Sequence, residues 1–163
     1  MITLEEQLDR SGVIIHTNKG TSMLPLLREN RDLMVIRKKG TADLHKYDAV
    51  LYLRDNGEYV LHRIIKVNSD SYRVIGDNCI NGEDVHDDQV LGVLEEIVRN
   101  GKTIKVTDKG YQVFVRVWWL IYPIRVLLKT IPKAPLSLFR QDHPNGNKAN
   151  RRGKVSQKTT DVR

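Results

Sequence analysis

Three polar side chains stand at the borders of apolar runs, as the parts of an activated nucleophile would. Ser22 lies in Gly20-Thr21-Ser22-Met23-Leu24-Pro25, His62 in Leu61-His62-Arg63-Ile64-Ile65, and Asp77 in Ile75-Gly76-Asp77-Asn78. A serine hydroxyl is a poor nucleophile until a base takes its proton, and an imidazole of ordinary pKa can do that at neutral pH. An acceptor on the far ring nitrogen holds the imidazole in the working tautomer. Each stretch also has an ordinary reading. Ser22 would cap a helix whose first turn contains Pro25. His62 would be a core histidine, and Asp77 an Asx-turn acceptor at a strand end. Ser22 and His62 are far apart in the chain, so only the fold can join them.

In this order the three boxes resemble the signal peptidase I and LexA-like clan of serine peptidases, over about residues 20 to 99. There a Ser-Met-x-Pro box carries the nucleophile, a later strand the base, and a Gly-Asp-Asn box follows. Leu61-His62-Arg63-Ile64-Ile65 is similar to the histidine-base type of the endoplasmic reticulum and archaea. The resemblance implies a mainly β fold, a coiled sheet or barrel, that cleaves a peptide or precursor protein, with a preference for small residues before the cut. It implies Ser22 as nucleophile, His62 as general base and acid, and no cofactor. Asp77 is the first candidate to orient His62. A second acid follows in the family, and Glu83 and Asp84 both fit its place. Many signal peptidases supply a second oxyanion donor from a serine two residues before the nucleophile. Gly20 stands there, leaving a backbone N–H or Thr21 beside the N–H of Ser22. Two other functions remain open: a non-catalytic or very slow peptide-binding module of the same fold, and a LexA-like regulatory domain that cuts itself.

The elements that must position these residues are legible as alternating runs and turns. Thr3-Leu4-Glu5-Glu6 is a capping box, which predicts a short helix to about Arg10, stopped by Gly12. Val13-Ile14-Ile15, Leu33 to Ile36, Ala49 to Leu53, Tyr59 to Val67, Tyr72 to Ile75, Leu91 to Val98 and Thr103 to Val106 read as strands. Asp55-Asn56-Gly57 and Asn100-Gly101 read as hairpin turns, because Asn-Gly accepts positive φ. Glu83-Asp84-Val85-His86-Asp87-Asp88 reads as a solvated acidic loop rather than a metal site, and Cys79 as buried filler rather than a nucleophile.

Charge divides the chain. The net charge is +7, yet residues 1–110 hold 16 Lys and Arg against 18 Asp and Glu, and residues 111–163 hold 11 against 2. The basic third is joined to an apolar segment, 111–139, whose longest charge-free run, Val117 to Ile124, falls far short of the ~20 residues that a spanning helix needs. Pro123 should end or kink a helix, with Arg125 and Lys129 on one face and Ile124, Leu127 and Ile131 on the other. Two readings follow: an interfacial helix on an anionic membrane, with Trp118, Trp119 and Tyr122 at headgroup depth, or a helix packed on the sheet. Residues 140–163 read as a disordered basic tail. No helix-turn-helix pattern precedes Ser22, so nucleic acid is an unfavoured partner. The acidic Met1 to Glu6 reads as neither a signal peptide nor an anchor, which predicts a cytoplasmic protein or one held peripherally at a membrane. A lone cysteine allows no internal disulfide.

Overall fold

The computed structural model describes residues 2–130; the expectations for 131–139 and for the basic tail lie outside them. The chain opens with α1 (Leu4–Ser11). Thr3 Oγ1 accepts from the N–H of Glu6, and Glu6 Oε2 accepts from the N–H of Thr3, so the capping box closes as its sequence predicts. Gly12, at φ 69°, stops the helix in the left-handed conformation.

Eight strands follow: β1 (Val13–Thr17), β2 (Asp32–Lys38), β3 (Ala49–Leu53), β4 (Tyr59–Val67), β5 (Ser71–Ile75), β6 (Gly82–His86), β7 (Val90–Arg99) and β8 (Lys102–Lys105). They form one sheet in the order β1-β2-β7-β3-β4-β5-β6, with β8 on β7 and every pairing antiparallel. β1 and β6 are open edges, so the sheet is not a closed barrel. Bulges on β2–β7, β3–β7 and β4–β5 bend it. The acidic run at 83–88 is not a loop. Residues 83–86 of it belong to the edge strand β6, with Val85 buried and the carboxylates of Glu83 and Asp84 on opposite faces, as strand alternation demands. Two helices close the described chain, α2 (Lys109–Leu120) and α3 (Tyr122–Thr130).

Both faces of the sheet are buried at its centre. Ala49 and Leu51 join a core with Leu8, Met23, Leu27, Ile36, Ile97 and Tyr111, while Val50 and Tyr52 join one with Ile64, Val74 and Val85. That is why β3 reads as an unbroken apolar run rather than an alternating one. The β3–β4 hairpin turns through Gly57 at φ 83° and sets Val50 opposite His62 and Tyr52 opposite Val60.

Among the fully buried side chains Arg63 is the largest. Its Nε and one terminal nitrogen donate to the two carboxylate oxygens of Asp77, each at 2.7 Å. The other donates to the carbonyl of Tyr47 at 2.7 Å and to the hydroxyl of Tyr111 at 3.2 Å. Burial works against the charge, but Asp77 more than compensates, so the guanidinium stays ionised. A second buried carboxylate, Asp32, accepts from Arg31, Arg99 and the N–H of Arg28. Burial alone would raise its pKa; these bonds outweigh burial and hold it far below the carboxylate range.

Two outcomes follow. Arg63→Met should cost about 3–5 kcal/mol in denaturant unfolding, because it strands the Asp77 carboxylate in the interior, and Arg63→Met/Asp77→Asn should recover part of that loss. Asp32 contributes stability above the unfolded carboxylate pKa of about 3.9 and loses it as pH falls further. The wild type should therefore lose more stability than Asp32→Asn when thermal unfolding is compared at pH 5 and pH 3.

Candidate active site

Ser22 does not cap a helix. Residues 22–26 form a turn closed by the Leu27 N–H to Met23 carbonyl bond at 2.9 Å, which buries Met23, Leu26 and Leu27 and leaves Ser22 half-exposed. The turn is tied to the Gly-Asp-Asn box: the N–H of Asn78 donates to the Ser22 carbonyl at 2.7 Å, and its side-chain amide to the Thr21 carbonyl at 3.2 Å. Gly76 is required by close approach. A methyl group there would lie 2.8 Å from the Ser22 carbonyl oxygen, 2.8 Å from Cys79 Sγ and 3.0 Å from His62 Nε2. The Ser22 carbonyl and the His62 ring therefore flank the same methyl-sized space, and both residues line one cleft of about 590 Å³.

The opposite nitrogen of His62 faces inward. Nδ1 lies 3.0 Å from the hydroxyl of Tyr52 and 3.5 Å from Glu83 Oε1. Tyr52 donates its own proton to Glu83 Oε1 at 2.6 Å. Its oxygen then has lone pairs to offer and no proton, so Nδ1 must be the donor. The proton on Nδ1 leaves the lone pair on Nε2, the nitrogen beside Gly76. Arg54 completes the chain, donating to Glu83 at 2.9 Å from Nε and at 2.6 Å from a terminal nitrogen.

The charges in this chain are fixed by their neighbours. Burial alone would raise the Glu83 carboxyl; hydrogen bonds from Arg54 and Tyr52 outweigh it and hold the group ionised. Burial, then the carboxylate of Glu83, pushes the Tyr52 phenol well above its ordinary value, so it stays a neutral donor. His62 is pulled below its ordinary value, chiefly by burial; the attraction of Glu83 and Asp77 only partly offsets this, and Arg54 opposes it.

The family resemblance implied more than this arrangement provides. Asp77 does not orient His62: both of its oxygens are taken by Arg63. Asp84 is not at the site either. It lies on the other face of β6 and pairs with Arg73 at 2.9 Å. Of the three acids, Glu83 alone reaches His62, and it does so mainly through Tyr52. Tyr52 and Arg54 were missed by motif reading. The signal was available: the Asn-Gly turn fixes the hairpin register, which makes Tyr52 the diagonal neighbour of His62 on one face. A buried tyrosine hydroxyl must also find a partner.

No family model matches the chain, and no curated protein matches it.

The N–H of Ser22 donates to nothing among the described residues, and Gly20, at φ 80°, brings no hydroxyl to the turn. Beyond Ser22 the cleft runs past His16, Thr17, Asn18 and Lys19, which continue from the open edge strand β1, towards Tyr59, Val60 and Leu61 on β4. An open strand edge beside a polar turn can take an extended peptide by backbone pairing.

The tautomer and the direction of the shift are measurable. Long-range proton–nitrogen NMR should find neutral His62 protonated on Nδ1 and titrating below ~6.5. A group whose folded pKa is lowered in this way contributes stability above ~6.5 and loses it as pH falls through the folded value. His62→Gln should remove that part of the acid slope. A proton on Nε2, or a titration at or above 6.5, would contradict the assignment.

Proposed function

We propose that this protein is a serine peptidase acting on a peptide or precursor protein, with Ser22 as nucleophile and His62 as general base. The observation that carries the reading is the cleft lined by both Ser22 and His62, with the Nε2 lone pair of His62 held on the side of Gly76 by the Tyr52–Glu83–Arg54 chain. In the proposed reaction Ser22 Oγ attacks the scissile carbonyl carbon while its proton passes to Nε2. The N–H of Ser22 donates to the developing oxyanion. The imidazolium then gives the proton to the departing amine, leaving an acyl-enzyme. Water, deprotonated by the same imidazole, releases the acid and restores the serine. Glu83, kept anionic by Arg54, stabilises the imidazolium through the Tyr52 hydroxyl.

A second reading, a peptide-binding module without turnover, is favoured by two observations. Gly20 offers no side-chain oxyanion donor, and among the described residues no hydrogen bond joins Ser22 to His62. Such bonds are often long in unliganded enzymes and tighten with substrate. The two readings differ in whether product forms.

Purified protein should be incubated with a peptide library and products read by mass spectrometry, with the intact chain weighed in parallel to detect self-cleavage. Ser22→Ala should lower kcat/KM at least about a thousandfold without unfolding. The wild-type rate should rise through an ionisation below ~6.5, since burial lowers the base. Tyr52→Phe should lower kcat by about tenfold or more with little change in KM, because it removes the acceptor that fixes the tautomer. Peptide binding without any product, equal in wild type and Ser22→Ala, would select the second reading.

A further inference from the structure

The helices α2 and α3 are apolar on two sides, and the described residues use only one. The inner side packs on the domain. Tyr111 and Val115 enter the core, and Trp118 Nε1 and Arg125 donate to the Asp77 carbonyl at 2.8 and 2.6 Å. Tyr122 donates to the Ile80 carbonyl at 2.8 Å, and Lys129 to Asn78. The aromatic side chains expected at headgroup depth are thus turned onto the loop after Gly76, and so are the cations expected to face water.

The outer side carries Val113, Val117, Leu120, Ile124, Leu127 and Leu128, each more than half exposed and Leu120 at 77%. At about 100° per residue Val113, Val117 and Leu120 span about 60° of α2, and Ile124, Leu127 and Leu128 about 100° of α3. The two helices meet at Ile121, whose N–H donates to the Val117 carbonyl at the end of α2 and whose carbonyl accepts from the Arg125 N–H at the start of α3. A surface helix ordinarily has one apolar stripe, facing the core; a second stripe on rigidly held helices marks a contact. Its chemistry selects the partner. It is wholly aliphatic, whereas protein-binding hot spots are rich in Trp, Tyr and Arg. No acidic residue lies between Lys109 and Thr130, the exposed Lys109 and Arg116 border the stripe, and the chain beyond 130 adds eight Lys and Arg against two Asp.

We propose that the outer face of α2–α3 docks in the plane of an anionic membrane surface, its aliphatic stripe in the acyl boundary and its basic flanks among the headgroups. The docking does not depend on the peptidase reading. It would nonetheless bear on that site, since the same helices hold Asn78, whose N–H holds the Ser22 carbonyl.

The test is co-sedimentation of the full chain with vesicles of phosphatidylcholine, alone or mixed with phosphatidylglycerol, together with gel filtration. At low salt the wild type should partition at least about tenfold more onto the anionic vesicles, and raised salt should weaken that preference without abolishing binding. Leu120→Ser/Ile124→Ser/Leu127→Ser should lose about tenfold or more of the binding while keeping the wild-type circular dichroism. Should that variant fail to fold, Leu120→Cys in a Cys79→Ser background, labelled with an environment-sensitive fluorophore, should shift to the blue on anionic vesicles. Equal binding to neutral and anionic vesicles, full binding by the triple variant, or a label that does not shift would each overturn the proposal. So would a wild-type dimer that ignores vesicles and that the triple variant dissociates, which would make a second copy the occupant.

Discussion

The buried pair between Arg63 and Asp77 is the constraint on which the candidate site depends. A guanidinium with no exposed surface would be unfavourable in this interior without a matched anion, and the bidentate geometry with Asp77 supplies one. The pair joins a central strand to the loop that follows β5. Once Asp77 is fixed, Gly76 and Asn78 are fixed beside it, and Asn78 then holds the Ser22 turn through its backbone N–H. Arg63 and His62 are neighbours in sequence and point to opposite faces. Arg63 anchors the loop through Asp77, and His62 on the other face lies beside Gly76 of the same loop.

The histidine is held by a different logic. Its surroundings are apolar enough to lower its pKa, yet an ionised acid sits a tyrosine away. Placing Tyr52 between His62 and Glu83 fixes the neutral tautomer by proton accounting. The hydroxyl has one proton, Glu83 takes it, and only Nδ1 can supply the other bond. Arg54 keeps Glu83 charged, so donation converges on that carboxylate, from the guanidinium on one side and from the imidazole through the phenol on the other. Burial outweighs the attraction of Glu83 and keeps the ring below its ordinary pKa.

The C-terminal helices show how polar atoms can be used to hold an apolar element. Arg125 lies over the ring of Trp118 at 4.0 Å and close to those of Trp119 and Tyr122; Trp118, Tyr122 and Arg125 donate to carbonyls of the 77–80 loop, and Trp119 to the Asp77 carboxylate. Those carbonyls belong to a loop without sheet partners, so they need donors, and indole, phenol and guanidinium groups provide them. The arrangement spends the polar side chains of the segment on the domain and leaves aliphatic ones outside.

The sequence by itself determined what depends on short-range pattern. The capping box, the Asn-Gly hairpins, the β runs and the helical period of residues 111–130 are each written in neighbouring residues, because caps, turns and periodicity are local properties. The three boxes that meet at the cleft were also legible, since Ser22, His62 and Gly76 are the residues that come together there. What only the tertiary structure decided was partnership. Asp77 and Glu83 are both acids following the histidine, and motif spacing could not say which would face it. The pleat decided, by sending Arg63 to Asp77 on one face and His62 towards Tyr52 and Glu83 on the other. The acidic run looked solvated because its charges are dense, but pairing with β5 made residues 83–86 a strand with one buried valine. Which helix face turns in was decided in the same way: amphipathicity tells which residues share a side, and the carbonyls of a distant loop drew Trp118, Tyr122 and Arg125 inward.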